Sequence, residues 1–284
     1  MPPHLYFVVS AVFHYLGPSF AVLLFARVPV LGVAWLRIVS AAVVFGLWRR
    51  PWPALRDPLV LAWGATLAAM NCCFYEAISR LALGTVAAIE FLPVIALAAI
   101  GARSARNLLA LIMAVGGVAL LSDVHLSGQP LGFVFALVNA GLFALYIVLA
   151  HRAAGREQRS GLTDLGGAMI VAAVLTAPVG AAAALSRVGD PLVLAAGVGV
   201  GLCSSVIPYV TDQLAMVKLS RATYSLMVAL LPAVAVIVGV VVLAQLPSAI
   251  ELTAVALVIA GVAVHRAAPE AIDARTRADS LSEG

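Results

Sequence analysis

Uncharged, apolar stretches of about 20 residues recur along nearly the whole chain, and they constrain its fold more than any other feature. The hydrocarbon core of a bilayer is about 30 Å thick, and an α-helix crosses it with roughly 20 apolar residues. Inside a bilayer each backbone N–H and C=O must be paired within the protein, so such stretches fold as helices. The pattern therefore predicts an all-α polytopic membrane protein.

Ten apolar stretches are separated by Arg, Pro, Gly and Asp. The predicted transmembrane helices span residues 5–25, 30–48, 58–78, 84–101, 107–121, 131–150, 163–184, 191–211, 222–244 and 249–265. The polar segment 266–284 is predicted to be a short, disordered cytoplasmic tail.

The composition leaves no room for a soluble domain, because 63% of residues are hydrophobic and 11% are charged, against about 25% charged residues in soluble domains. The formal net charge of +4 comes from arginines in short linkers, so it predicts membrane topology and no nucleic-acid partner. The cysteines lie inside apolar stretches, so we expect neither a disulfide framework nor a metal site. No cofactor is predicted.

The basic residues predict the orientation, since cytoplasmic loops are enriched in Lys and Arg. With the N-terminus inside, the cytoplasmic linkers and tail hold thirteen of them and the outer linkers hold three. The three outer residues are Arg27, Arg80 and Arg187. Both termini are therefore predicted to be cytoplasmic.

An internal repeat divides the chain into two halves. The hexapeptide Asp-Pro-Leu-Val-Leu-Ala opens the third predicted helix at Asp57 and the eighth at Asp190. Two shorter matches have the same five-helix spacing: Leu92–Val94 with Leu231–Ala233, and Gly117–Ala119 with Gly261–Ala263. Because five crossings are an odd number, the second copy enters from the other side of the membrane. We predict two inverted five-helix repeats, residues 1–125 and 126–265.

Local signals fix several helix ends. Asp followed by Pro is typical of a helix start, because Asp caps unpaired N–H groups and Pro suits the first helical position, so Asp57 and Asp190 are interpreted as structural. Ser248 and Glu251 have the spacing of a capping box.

The residues around the fourth predicted helix resemble a known family. Phe74–Ala77, Leu83-Gly84 and Val86–Val94 are similar to the signature of EamA-type transporters of the drug/metabolite transporter superfamily. The Glu-Phe-x-x-Pro stretch resembles the threonine and homoserine exporter branch most. Trp35–Ile38, followed by Ala41-Ala42, resembles the arginine pattern of the family's second helix.

The resemblance implies a multi-pass inner-membrane permease, a monomer or homodimer, that exports small metabolites by alternating access. It implies a central cavity walled by helices one, three, four, six, eight and nine, and amino acids as substrates, with drugs or purines as the alternative. A proton is a possible coupling ion. The chain carries no phosphate-binding loop for ATP.

Two charged side chains within predicted helices are the leading functional candidates, since a charge at bilayer depth costs about 2.5–3.5 kcal/mol on insertion scales. Glu90 has two possible roles. It faces the cavity and binds a substrate ammonium group or a proton, or it has the structural role of holding helices together. Arg37 either pairs helices, which we favour, or holds an internal acid or the substrate carboxylate.

Neutral and weakly basic groups complete the predicted cavity, with helix-bridging as the alternative role for each. These candidates are His14, Asn71, Tyr75, Asn139, Ser205 and Tyr209. Prolines that interrupt helices are candidate kinks: Pro18, Pro93, Pro208 and Pro232.

Two acidic residues are placed nearer the membrane surfaces. Glu76 lies four residues before Arg80, which predicts an interfacial ion pair on one helix face. Asp212 is a candidate gate at the cytoplasmic mouth or a partner of Lys218.

Two other classes of function were weighed. An intramembrane enzyme is disfavoured, because the chain has no Gly-x-Ser-x-Gly or His-Glu-x-x-His motif and its histidines are scattered. A passive channel or a non-transporting membrane partner stays open, and lack of gradient-coupled turnover would distinguish it.

Overall fold

The computed structural model describes residues 3–93, 105–125, 129–154, 161–211 and 231–264. Within these ranges all regular secondary structure is helical, joined by short turns, and there is no β-strand. The all-α class predicted from the apolar stretches is therefore confirmed.

The helices of the described ranges follow the predicted segments closely. They are α1 (Pro3–Leu24), α2 (Val30–Arg49), α3 (Pro58–Ile78), α4 (Leu83–Glu90), α5 (Ala105–His125), α6 (Pro130–Ala154), α7 (Gly161–Leu185), α8 (Pro191–Gly201), α9 (Leu231–Leu243) and α10 (Ala249–Val264). A short 3₁₀ helix, Trp52–Arg56, joins α2 to α3. After α8 the helix continues as a π-helical turn, Leu202–Val206, and then to residue 211.

Six of these helices are long and apolar enough to cross a bilayer: α1, α2, α3, α6, α7 and α8 with its π-helical continuation. Three shorter apolar helices of 10–17 residues lie at 105–120, in α9 and in α10. The fourth predicted helix is described only as far as Pro93.

The predicted caps are present. The side chain of Asp57 accepts a hydrogen bond from the Leu59 N–H at 2.9 Å, and Asp190 accepts one from the Leu192 N–H at the same distance. Each cap satisfies an N–H that has no partner inside the helix. At the start of α10 the Ser248 N–H donates to Glu251, and the Glu251 N–H donates to the Ser248 hydroxyl. These short sequence signals therefore fix where three helices begin.

The helices pack in a set of long-range pairs. The most extensive contacts join α2 to α7, α5 to α10, and α3 to both α6 and α7. Further pairs are α1 with α8 and α9, α2 with α8, α4 with α9, and α4 with α6. Between α2 and α7 the Trp35 indole donates a hydrogen bond to the Ala173 carbonyl at 3.0 Å.

Glycines allow the closest approach between α5 and α10. A Cβ on Gly117 would lie 2.6 Å from the Ala254 carbonyl oxygen, and one on Gly261 would lie 2.7 Å from the Ala110 carbonyl oxygen. Both helices therefore rely on a missing side chain at their crossing, as expected when packing rather than water drives association.

The surface of the described helices is more apolar than that of a soluble protein. Large apolar side chains on the outside are well exposed, among them Leu47, Val174 and Val241, while Arg37, Glu90 and Asn139 are buried. A soluble protein rarely exposes contiguous apolar faces of this extent, whereas lipid accommodates them without cost. The fold is therefore suited to a bilayer and gathers its polar groups inside.

Candidate functional site

Polar groups from six helices converge on one small cavity of about 50 Å³. The described residues that line it are His14, Pro18, Arg37, Met70, Asn71, Phe74, Glu90, Asn139, Phe143, Tyr146 and Tyr209. Such a volume has room for a few water molecules and is well below the roughly 300–1,000 Å³ of typical ligand pockets. A substrate the size of an amino acid therefore requires the surrounding helices to separate.

Glu90 is the acidic group of the cavity. It lies at the end of α4 and is only 6% exposed, and its Oε1 accepts a hydrogen bond from Asn139 Nδ2 of α6 at 3.0 Å. The amide oxygen of Asn139 has no hydrogen-bond partner in the described part of the chain. A carboxylate and a free amide oxygen therefore lie side by side, and both are acceptors suited to a cationic donor.

Arg37 is the basic group of the same cavity. Its Nε donates to the Ser205 hydroxyl and its Nη2 donates to the Ser204 carbonyl, each at 3.2 Å. Its guanidinium carbon lies 5.6 Å from the centre of the Tyr75 ring, in cation–π geometry. Ser205 and Tyr75 therefore contact Arg37, which lines the cavity, but they do not line it themselves.

The Ser204 carbonyl is available to Arg37 for a reason visible in the sequence. In an α-helix the N–H four residues later would bind that carbonyl, but residue 208 is proline and has no N–H. The helix widens to a π-helical turn at Leu202–Val206 just before this proline. Such turns are rare and occur often at functional sites.

Helix α1 also borders the cavity and packs closely against this π-helical turn. The Ser10 hydroxyl donates to the Pro208 carbonyl at 3.2 Å, and a Cβ on Gly17 would lie 2.7 Å from the Ser204 backbone nitrogen. His14 lines the cavity beside Tyr15, whose ring meets the imidazole edge-on at 5.2 Å. Helices α1, α2 and α8 thus meet at the cavity.

The structure places the other predicted residues elsewhere. Glu76 forms an ion pair with Arg80 at the end of α3, one turn apart as the sequence spacing predicted. Pro93, Pro208 and Pro232 do not line the cavity, and α1 continues through Pro18 without a break. Asp212 and its suggested partner Lys218 lie outside the described residues, as does the tail 266–284.

Several features of the site were not predicted from the sequence. The apolar lining by Met70, Phe74 and Phe143 carries no local signal, because these residues resemble any others in a membrane helix. Outside the cavity, Asp164 is fully buried in the first turn of α7, where a helix dipole favours negative charge. The π-helical turn had one usable signal, the proline that follows it.

The fold and the site together define the class: this is a multi-pass α-helical membrane protein with a small cavity between its helices, lined among the described residues by one carboxylate and one guanidinium. No family model matches the chain.

The chain is similar to named membrane exporters over most of its length. It is 29% identical over 256 residues to the threonine/homoserine exporter RhtA of Salmonella typhimurium (strain LT2), and equally to that of Escherichia coli (strain K12). Each match covers 86% of this chain and 84% of the exporter. These findings confirm the resemblance drawn from the fourth helix. The relatives are named as exporters, which accords with the prediction that the chain is not an enzyme.

A solved crystal structure also matches the fold, with a TM-score of 0.59 and 19% identity over 91% of this chain and 95% of the other. At this identity it shows the fold alone.

Proposed function

We propose that this protein is a secondary transporter that exports amino acids of the threonine and homoserine type across the inner membrane by alternating access. The observation that carries this proposal is the buried Glu90–Asn139 pair in a small cavity between the helices. A buried carboxylate in a membrane helix is costly and has a ready role in binding a cationic group. The similarity to named amino-acid exporters points to the same substrates.

The proposed architecture is ten transmembrane helices in two inverted repeats, residues 1–125 and 126–265, with both termini cytoplasmic. The packing pairs support it. In such a repeat each helix corresponds to the helix five positions away, so each contact should have a counterpart. The contact α3–α6 corresponds to α8–α1, α3–α7 to α8–α2, and α1–α9 to α6–α4, and all of these pairs are in contact. The pairs α2–α7, α4–α9 and α5–α10 map onto themselves. Such symmetry suits alternating access, in which one repeat rocks against the other.

In the proposed cycle the cavity opens to one side, takes up substrate, closes and reopens to the other side. Its small volume in the described arrangement supports a state of this cycle that has too little room for the substrate. Glu90 either binds the substrate ammonium group or carries a coupling proton, and Asn139 positions the carboxylate in both cases.

The test is flux of labelled threonine, methionine and phenylalanine in proteoliposomes, with and without a pH gradient, for the wild type and Glu90→Gln. We expect threonine flux in the wild type and a loss of at least tenfold in Glu90→Gln, since one buried charged hydrogen bond contributes about 1.5–3 kcal/mol. Glu251→Gln is the matched control, because Gln also completes a capping box and Glu251 does not line the cavity.

The outcomes separate the possible roles. Normal flux in Glu90→Gln would reduce Glu90 to a helix-bridging residue. Wild-type protein that moves no amino acid but moves another solute would overturn the proposed substrates. A pH gradient that changes the wild-type rate but not the residual Glu90→Gln rate would identify Glu90 with proton coupling.

A further inference from the structure

Arg37 carries a buried charge without a counter-ion in the described part of the chain. It is 7% exposed, and the ion pairs of the described ranges join Arg27 to Asp190 and Arg80 to Glu76. Its two hydrogen bonds go to the neutral oxygens of Ser204 and Ser205. A buried charge whose hydrogen-bond partners in the described ranges are all neutral gains from an anionic ligand, because a directly paired charge is less costly to bury.

The guanidinium has donors to offer such a ligand. It carries five N–H groups in a planar fork, and the hydrogen bonds to Ser204 and Ser205 use two of them. A carboxylate can therefore be bound through the remaining donors while the guanidinium stays anchored to α8. The planar fork matches a carboxylate bidentately, and the anchoring reduces the entropy lost on binding.

The two charges of the cavity face a common space and stay apart. Arg37 and Glu90 both line it, and the ion pairs of the described ranges join other residues. Glu90 is occupied on one oxygen by Asn139, and the amide oxygen of Asn139 is unpartnered. Glu90 and Asn139 thus offer hydrogen-bond acceptors, and Arg37 offers donors. This arrangement is complementary to a small molecule that carries one positive and one negative group.

From this arrangement we infer that Arg37 binds the substrate carboxylate. The site then binds the free α-carboxylate and α-ammonium groups together and selects zwitterionic amino acids. This inference rests on the proposed function and deepens it.

The first experiment needs no variant. Uptake of labelled threonine into wild-type proteoliposomes is competed with unlabelled threonine and with threoninol, in which a hydroxymethyl group replaces the carboxylate. We expect threoninol to compete at least tenfold more weakly, because it loses a charge-assisted, bidentate contact to a buried group. Equal competition by the two compounds would overturn the inference while leaving amino-acid export intact.

The second experiment asks whether Arg37 is the group that discriminates. In Arg37→Gln, and in Arg37→Lys, which keeps the charge but loses the fork, we expect threonine to lose most of its advantage over threoninol. Arg27→Gln is the matched control, since Arg27 pairs with Asp190 on the exposed surface, and it should keep the wild-type ratio.

Because the ratio of the two competitors is measured within one protein, a lower amount of folded variant does not affect it. If neither Arg37 variant transports, competition by threonine and threoninol for binding of labelled threonine to the detergent-purified variant gives the same ratio. An unchanged ratio in both variants would assign the discrimination to another residue and overturn the inference. Wild-type protein without amino-acid flux would instead overturn the proposed function.

Discussion

At the level of single residues, Gly17 makes one of the tightest contacts between cavity helices. A Cβ at this position would lie 2.7 Å from the backbone nitrogen and 2.9 Å from the Cα of Ser204. These are backbone atoms, so rotation of a side chain cannot relieve the overlap, and α1 would have to move away from α8. The close approach also keeps Ser204 and its neighbour Ser205 in reach of Arg37.

We therefore expect Gly17→Ala to lower the free energy of unfolding by about 1–3 kcal/mol, the usual cost of overpacking. The measurement is the melting temperature of the purified protein in detergent. Gly141→Ala in α6 is the control, because a Cβ there meets no atom of the described residues within 4 Å and alanine favours a helix. If Gly17→Ala melts no lower than Gly141→Ala, the contact between α1 and α8 is less rigid than described.

The same residue scale explains why Arg37 and Glu90 differ in role from Glu76. Glu76 has its partner, Arg80, one turn away on the same helix, so the pair is complete without the rest of the fold. Arg37 and Glu90 depend on other helices for every hydrogen bond that their side chains make in the described structure. Residues of the second kind are those that a change in helix packing can affect.

At the level of helices, the repeated Asp-Pro pair begins two helices and caps them in the same way. Asp57 caps α3 and Asp190 caps α8, with matching geometry. Both helices contribute to the cavity, through Asn71 on α3 and Tyr209 beyond α8. The cap thus lies at the N-terminus of each helix, and the residues that line the cavity lie in its C-terminal half.

We expect Asp57→Ala to destabilise the protein by about 1 kcal/mol, because an N-terminal N–H loses its acceptor, and Asp57→Asn to retain most of the stability. Thermal unfolding in detergent distinguishes the two variants. A loss in Asp57→Asn as large as that in Asp57→Ala would mean that the negative charge matters more than the cap.

For the whole molecule, the distribution of basic residues predicts which linkers face the cytoplasm. Arg50 lies in the linker between α2 and α3, Arg187 lies between α7 and α8, and both are exposed. The positive-inside pattern places the first inside and the second outside.

Cysteine labelling tests this topology. With Cys72, Cys73 and Cys203 replaced by serine, Arg187→Cys should react with a membrane-impermeant maleimide in intact cells. Arg50→Cys should react only after permeabilisation. The reverse result would invert the orientation, while labelling of both sites in intact cells would contradict the predicted number of crossings between them.

The sequence by itself determined the class of protein and most of the helix bounds. The predicted segments 30–48, 58–78 and 249–265 correspond to Val30–Arg49, Pro58–Ile78 and Ala249–Val264. These features are local: the bilayer sets the length of an apolar helix, and caps of two or three residues set where it starts. Glu90 was identifiable for the same reason, since a charge within an apolar stretch stands out.

Only the tertiary structure decided which polar groups meet. Glu90 and Asn139 are 49 residues apart, and Arg37 and Ser205 are 168 apart. In a bilayer both lipid and neighbouring helices are apolar, so a helix shows little difference between its faces and its rotation cannot be read from periodicity. That rotation is fixed by packing against other helices. It is this packing that turned Arg37, which the sequence favoured as a helix-pairing residue, toward the same cavity as Glu90.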